Sequence, residues 1–298
     1  MDNRRVLHLR FNISLVYTMK KLILIALLLN ATYLFGQAPQ TVVKNSDAAP
    51  REFQNITAIL GAFPAEVALI HSMIKQPKEL AFQGIHFTEG ILNGRHVVLA
   101  QTGMGKVNAA ITTTLLLDHF KPREVLFTGI AGGTDPELSP GDLVIATTVA
   151  HHDYGTITPD SMLRRSTRNP TTEEENPIYF PCDKLLIRLA EKVSKEVKFQ
   201  SAGKRSPKVI EGVIVTGDVF VSSVAATKQL HQKMNAEATE MEGASVAQAC
   251  WQQKVPFLVI RSLSDNASDN AHEDVATFYK IAAENSAHLV MAIVEKIN

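Results

Sequence analysis

Cysteine, tryptophan and unbalanced charge are all scarce in this 298-residue chain. There are two cysteines, one tryptophan, and 30 basic residues against 30 acidic ones. Cys182 and Cys250 show no metal-ligand spacing, so a zinc site or disulfide framework is not expected and both read as packing residues. The zero net charge and the lack of a basic block interleaved with aromatics argue against a nucleic-acid partner. A small neutral or zwitterionic ligand fits better. No apolar run reaches the roughly 20 residues that a membrane span needs. What is present is 45% hydrophobic residues, enough for one self-sufficient core of about 250 residues.

The first 38 residues differ from the rest. Met19-Lys20-Lys21 precedes LILIALLLNATYLFG, a run of roughly 15 residues, and then the small Gly36-Gln37-Ala38 triplet. A basic start, a short apolar run and small residues describe a secretory signal peptide, so residues 1–38 are expected to be a targeting leader and the protein to be exported. Residues 39–54 read as a linker and 55–298 as a single domain with no membrane contact.

From Asn55 onward, strand and helix signals alternate. ITAILGAF is a buried strand, and PAEVALIHSMI a helix with Pro64 in its first turn. FTEGILNGRHVVLAQTG is a hairpin about Asn93-Gly94, and GKVNAAITTTLLLDHF an amphipathic helix. VLFTGIAGG runs from a strand into a glycine turn, and DLVIATTVAHHDYG is another strand with the His151-His152 pair at its surface end. Residues 156 to 180 read as a long surface loop containing Glu173-Glu174-Glu175. DKLLIRLAEKVSKEV is a helix capped near Cys182-Asp183. VIEGVIVTGDVFV is a strand ending in a second glycine turn, ATKQLHQKM is helical, and EDVATFYKIAAENSAHLVMAIVEKI closes the domain. This alternation predicts an α/β sandwich with a mixed sheet.

The stretch TEMEGASVAQACWQQKVPFLVIRSLSDNA carries the sharpest question. Glu240 and Glu242 adjoin an apolar helix, and the FLVI strand after Pro256 ends in Arg261-Ser262-Leu263-Ser264-Asp265. Acidic residues near a helix start are common for dipole reasons alone. Ligands of open α/β sheets, however, collect at the carboxyl ends of strands, and four such ends carry unusual residues: Glu66, Gly129 to Gly133, Thr216 to Phe220, and Arg261 to Asp265. The Gly132-Gly133 turn is not GxGxxG, which argues against a dinucleotide.

GAFPAEV, TGMGKVNAA, FTGIAGGTDPELSPGDLVIA, VTGDVFV, EMEGASVAQAC and VPFLVIRSLSDNA, in this order, resemble the nucleoside phosphorylase/nucleosidase superfamily, and most of all its 5′-methylthioadenosine/S-adenosylhomocysteine nucleosidase branch. The resemblance covers about Ile56 to Ile297. It implies a three-layer α/β/α sandwich with a central mixed twisted sheet, usually homodimeric, that hydrolyses the N-glycosidic bond of adenine nucleosides with no metal or cofactor. By the same resemblance Glu66 activates the water, Asp265 protonates the purine at N7, and Glu242 holds the ribose hydroxyls above Met241. Phe220 stacks on adenine, and Val221 contacts the base through its backbone. Ala131 and Gly132 line the pocket, and Arg261 and Ser264 support the water and the acid. Glu240 is either a neighbour in the pocket or a cap.

The chemistry asks for such a set. Glycosidic cleavage builds positive charge on the sugar and negative charge on the base, so an acid must meet the base while a carboxylate prepares water. Glu66 is expected to stay ionised beside Arg261, and Asp265 to hold its proton through a raised pKa. One position departs from the family: Ile130 stands where the familiar bacterial nucleosidases have a serine. Phosphorylases of the superfamily need an arginine and a serine at this turn, where the chain has Phe127 and Ile130, so hydrolysis is favoured over phosphorolysis. Three alternatives remain. They are a phosphorylase drawing on His151, His152, Arg164 or Arg165, a nucleosidase for a futalosine-type nucleoside, and an exported nucleoside-binding protein without turnover.

Overall fold

The structure, a computed structural model, describes residues 53–159, 161–202, 205–267 and 270–297. The leader expected over residues 1–38 and most of the linker lie outside the described residues.

The chain begins with β1 (Gln54–Gly61), α1 (Pro64–Met73) and the meander β2 (Lys75–Phe82), β3 (Ile85–Leu92) and β4 (Arg95–Gln101). Asn93 and Gly94 have φ of 48° and 81°. Two successive left-handed residues make the tight turn that matches strand twist, and this fixes the Leu92–Arg95 register. Gln83-Gly84 repeats the device one hairpin earlier, with φ of 52° and 81°. The β2 strand was not expected from sequence. KQPKELAF is polar and contains Pro77, which is acceptable only because β2 is the edge of the sheet.

Next come α2 (Lys106–Phe120), β5 (Pro122–Phe127), the four-residue β6 (Ile130–Gly133) and β7 (Leu143–His151). The expected loop of residues 156 to 180 contains three short strands, β8 (Gly155–Ile157), β9 (Met162–Arg164) and β10 (Tyr179–Pro181). Phe180 is fully buried because β10 pairs with β7. Then follow α3 (Lys184–Ser194), β11 (Val209–Thr216), α4 (Val224–Met234), β12 (Ala236–Glu240), α5 (Gly243–Gln252), β13 (Phe257–Asp265) and α6 (Ala271–Lys296). Asp183 caps α3 by accepting the N–H groups of Leu185 and Leu186 at 2.8 and 3.0 Å.

The main sheet has eleven strands in the order β10-β7-β11-β12-β6-β13-β5-β1-β4-β3-β2. It is mixed: β1 runs parallel to β4 and β5, and β13 to β5 and β6, whereas β12 is antiparallel to β6 and β7 to β10. A further antiparallel pairing of β7 with β13, Ile260 opposite Ile145, closes β7, β11, β12, β6 and β13 into a ring. Helices α1, α3 and α6 pack together on one side, and α2 packs with α5 on the other. The fold is thus the α/β architecture with a central mixed sheet that the sequence implied.

Two local expectations need correction. The last strand does not stop at FLVI: β13 continues through Arg261 to Asp265, and every residue of it is buried. Its polar half is tolerated because Arg261, Ser264 and Asp265 find partners in the site described below, while Ser262 Oγ donates to the Gly141 carbonyl at 3.3 Å. The His151-His152 pair is not at the surface. His152 is buried and His151 half-buried, and burial, more than any neighbouring charge, holds both imidazoles below their usual pKa. Cys182 and Cys250 are both buried, and burial pushes the Cys182 thiol up to about 12.

Candidate active site

Three neighbouring strands bring the polar residues together. The short β6 lies between β12 and β13, with Thr239 opposite Gly132 on one side and Asp265 opposite Gly132 on the other. A bulge between Leu263 and Asp265 shifts the register there, a common way to re-aim a side chain at a site. The result is a cavity of about 250 Å³ over the ends of these strands. Glu66, Ala131, Gly132, Phe220, Met241 and Glu242 line it, together with Glu240, Ser264 and Asp265. Val221 lines a smaller adjoining recess.

Glu66 enters from the first turn of α1. Its Oε2 accepts the backbone N–H of Ala62 at 2.5 Å and of Phe63 at 3.4 Å, and its Oε1 accepts that of Ile130 at 2.8 Å. Burial lifts its carboxyl above the ordinary range, opposed by the Arg261 charge and by these three N–H groups. The donors are arranged for the ionised form. A lifted pKa also makes that form a better proton acceptor.

Arg261 is fully buried and neighbours Glu66, whose ionised form its charge favours, but its hydrogen bonds go elsewhere. Its Nη2 donates to Glu240 Oε2 at 2.6 Å and lies 3.8 Å from Glu242 Oε2, while Nη1 donates to the Thr128 carbonyl at 2.7 Å. The guanidinium carbon sits 4.0 Å above the Phe127 ring, a desolvated cation–π contact. Arg261 therefore reaches Glu66 as a field rather than a ligand. Gly129 is what lets the two approach the turn: a Cβ there would lie 2.1 Å from Arg261 Nη1 and 2.5 Å from Glu66 Oε1.

Glu240 plays both of the roles left open for it. It lines the cavity, but its carboxylate is spent on Arg261, on the Thr216 hydroxyl and on the N–H groups of Glu242 and Gly243 at the start of α5. It has little capacity left for a ligand. Glu242 is different. Its Oε1 accepts only the Gly105 N–H, at 2.8 Å, and its carboxyl is pushed up to about 8 by burial and then by Glu240, against Arg261 and the Gly105 N–H.

Asp265 ends β13. Ser264 Oγ donates to its Oδ2 at 2.8 Å and the Ala267 N–H to its Oδ1 at 2.6 Å. Burial raises its pKa against these two donors, the direction a proton donor requires. Gly132 leaves room for it, since a Cβ there would stand 2.9 Å from Asp265 Oδ1. Phe220 is 45% exposed at the mouth, and its ring stacks on His272 at 4.4 Å.

Sequence reasoning missed Phe63, Met104 and Val275, which make much of the apolar wall. Val275 lies on α6, and only its nearness in sequence to Asp265 could have hinted at it. Thr216 was named only as part of a strand end, with no role. Its hydroxyl ties Glu240 to the Ala244 N–H. Among the described residues no group of three or more His, Cys, Asp or Glu side chains is arranged to hold a metal.

Residues 56–295 match the family described as "Phosphorylase superfamily". The 5′-methylthioadenosine/S-adenosylhomocysteine nucleosidase of Psychromonas ingrahamii is 37% identical over 241 residues, covering 80% of this chain and 98% of that protein. The Neisseria meningitidis nucleosidase of the same name, solved in complex with methylthio-immucillin-A, superposes with a TM-score of 0.72 at 35% identity, covering 82% of this chain and all of that one. Futalosine hydrolase of Helicobacter pylori superposes with a TM-score of 0.70 at 30% identity, covering 82% and 98%.

Proposed function

The chain belongs to the phosphorylase superfamily, on its 5′-methylthioadenosine/S-adenosylhomocysteine nucleosidase branch, and we propose that Glu66, Glu242 and Asp265 divide the hydrolysis of an adenine nucleoside among them. Asp265 gives its proton to N7 of the base as the glycosidic electron pair departs with the base. Glu66 takes a proton from the water whose oxygen bonds to the anomeric carbon. Glu242 faces the sugar. The positive charge that builds there strengthens the attraction to its carboxyl, so part of its stabilisation exists only in the transition state. Phe220 offers a ring face to the base, and Met241 underlies the sugar.

The observation that carries this reading is one cavity holding carboxyls in different environments. Glu66 is ringed by three N–H donors, and Asp265 is buried with its proton favoured. Water rather than phosphate is the acceptor, because the turn offers no open cation. Arg261 has Phe127 across one face and Glu240 and Thr128 on its terminal nitrogens, and Ile130 lines the cavity with an apolar side chain.

The likeness to a futalosine hydrolase supports a second reading, in which the 5′ substituent is larger than methylthio. A panel of methylthioadenosine, adenosylhomocysteine and a futalosine-type nucleoside, with free base and reducing sugar measured with and without phosphate, tests both. Equal rates in phosphate-free buffer are expected. Strict phosphate dependence, with a sugar phosphate as product, would overturn hydrolysis.

The proposal extends to a homodimer. Met104, just before α2, and Val107 and Ile111 on it form an exposed apolar stripe, 65, 68 and 48% exposed, beside the cavity, and a second copy is the partner suggested for it. It extends also to export, on the Met19 to Ala38 pattern.

A further inference from the structure

Outside the cavity, a closed ring of charged side chains joins three segments that border it. The backbone N–H of Lys106, the first residue of α2, donates to Asp218 Oδ1 at 2.7 Å, and its ammonium donates to Asp153 Oδ1 at 2.6 Å. The Asp218 N–H completes the ring on Asp153 Oδ2 at 2.8 Å. The side chains of Lys106 and Asp153 are only 20 and 23% exposed, so water screens their attraction little. None of the three lines the cavity.

Their connection to the cavity is Gly105, immediately before Lys106. Its φ of +90° suits only glycine, and a Cβ there would meet Asp218 Oδ1 at 3.2 Å. In that conformation its N–H points at Glu242 Oε1, 2.8 Å away, the one backbone donor on that carboxyl. Fixing Lys106 from its nitrogen and from its ammonium fixes the peptide it shares with Gly105, and the Gly105 φ of 90° carries that placement one peptide further back, to the Gly105 N–H. We propose that Asp153 is a positioning residue for the sugar: by holding Lys106 and Asp218 together it keeps the Gly105 N–H on Glu242, and so sets where Glu242 meets the ribose. This rests on the reading that Glu242 binds the sugar.

The test uses the full chain and two ligands, free adenine and an adenine C-nucleoside, whose carbon–carbon glycosidic bond resists hydrolysis. Dissociation constants come from calorimetry, so variants without turnover remain measurable. D153N is expected to weaken the C-nucleoside on the order of 10-fold, as loss of a charge-assisted anchor does, and to leave adenine, which has no sugar, within about 2-fold. K106M should behave the same way, and serves if D153N does not fold. In an E242A background, which leaves the Gly105 N–H no acceptor, the D153N effect should vanish, because residues acting as one unit are not additive. A D153N loss of the same size with and without E242A, or an equal loss for adenine, overturns the positioning role while leaving the Glu242 reading intact. An E242A variant that binds the C-nucleoside as the natural chain does overturns both.

Discussion

Replacing Glu242 with glutamine should change how stability depends on pH. The folded protein holds the Glu242 proton up to about 8, against an ordinary carboxylate value of 4.5. The unfolded chain gives that proton up first, so unfolding releases it anywhere between these limits. The contribution is therefore fully present below pH 4.5 and is lost as pH rises through about 8. At about 1.36 kcal/mol per pKa unit, the whole span caps the effect at about 5 kcal/mol. Glutamine keeps a carbonyl oxygen for the Gly105 N–H but has no proton to lose. Glu66 and Asp265 are shifted in the same direction but are common to both proteins, so the difference in unfolding free energy reports Glu242 together with its coupling to Glu240 and Glu66. Urea unfolding of both proteins at unit steps from pH 5 to 9 should show the natural chain losing several kcal/mol relative to E242Q, with unchanged m-values. A difference flat to within about 1 kcal/mol across this range would refute the reasoning, because it would mean that Glu242 is already ionised in the empty cavity.

Asp265→Asn and Glu66→Gln should each cost on the order of 100 to 10,000-fold in turnover with little change in stability. A nucleoside with a better leaving group should restore part of the rate to the first variant and none to the second. Gly129→Ala should abolish turnover and lower the melting temperature, since its Cβ would fall 2.1 Å from Arg261 Nη1; a variant with normal activity would show that the turn can shift to accept it. Mass spectrometry of natively expressed protein should find a start near residue 37 to 39, and an intact leader in the cytosol would dispose of the export reading.

The site was more legible in sequence than the connections within it. Glu66, Glu242, Asp265 and Phe220 could be named because each sits in a short motif, and these residues do share one cavity. Arg261 could be named too, but not its partner. That it serves Glu240 and Thr128 rather than Glu66 depends on β12 and β5 flanking β6 and β13 in the folded sheet, which no local pattern encodes. The two roles of Glu240 were equally hidden, since a cap and a pocket wall look alike until the start of α5 is fixed two residues later. In the fold, alternating buried strands announced themselves, while β2 did not. Its exposed, proline-containing sequence carries no burial signal, because its place is set by the Gln83-Gly84 turn and the β3 edge. The length of β13 was misjudged for the opposite reason. Polar residues usually mark the end of a strand, and here they are its buried C-terminal half.

The hydroxyl of Ser286, deep in α6, reaches the middle of the chain: it lies 2.7 Å from Thr128 Oγ1 and accepts the Gly129 N–H at 3.1 Å. The turn that cradles Glu66 and Arg261 is thus held by a residue far later in the order of synthesis. A ribosome that has released only the first two thirds of the domain has made Glu66 and the glycine turn, whose Ile130 N–H Glu66 accepts, but neither Arg261 nor the Ser286 hydroxyl that holds Thr128 and Gly129. Catalytic competence should consequently arrive all at once, after α6 docks, rather than growing with chain length. Contacts so distant along the chain also close slowly. If the chain is exported unfolded, the compartment in which α6 docks decides where nucleosides are first consumed, and a precursor held in an extended state spares the pool on the side where it is made.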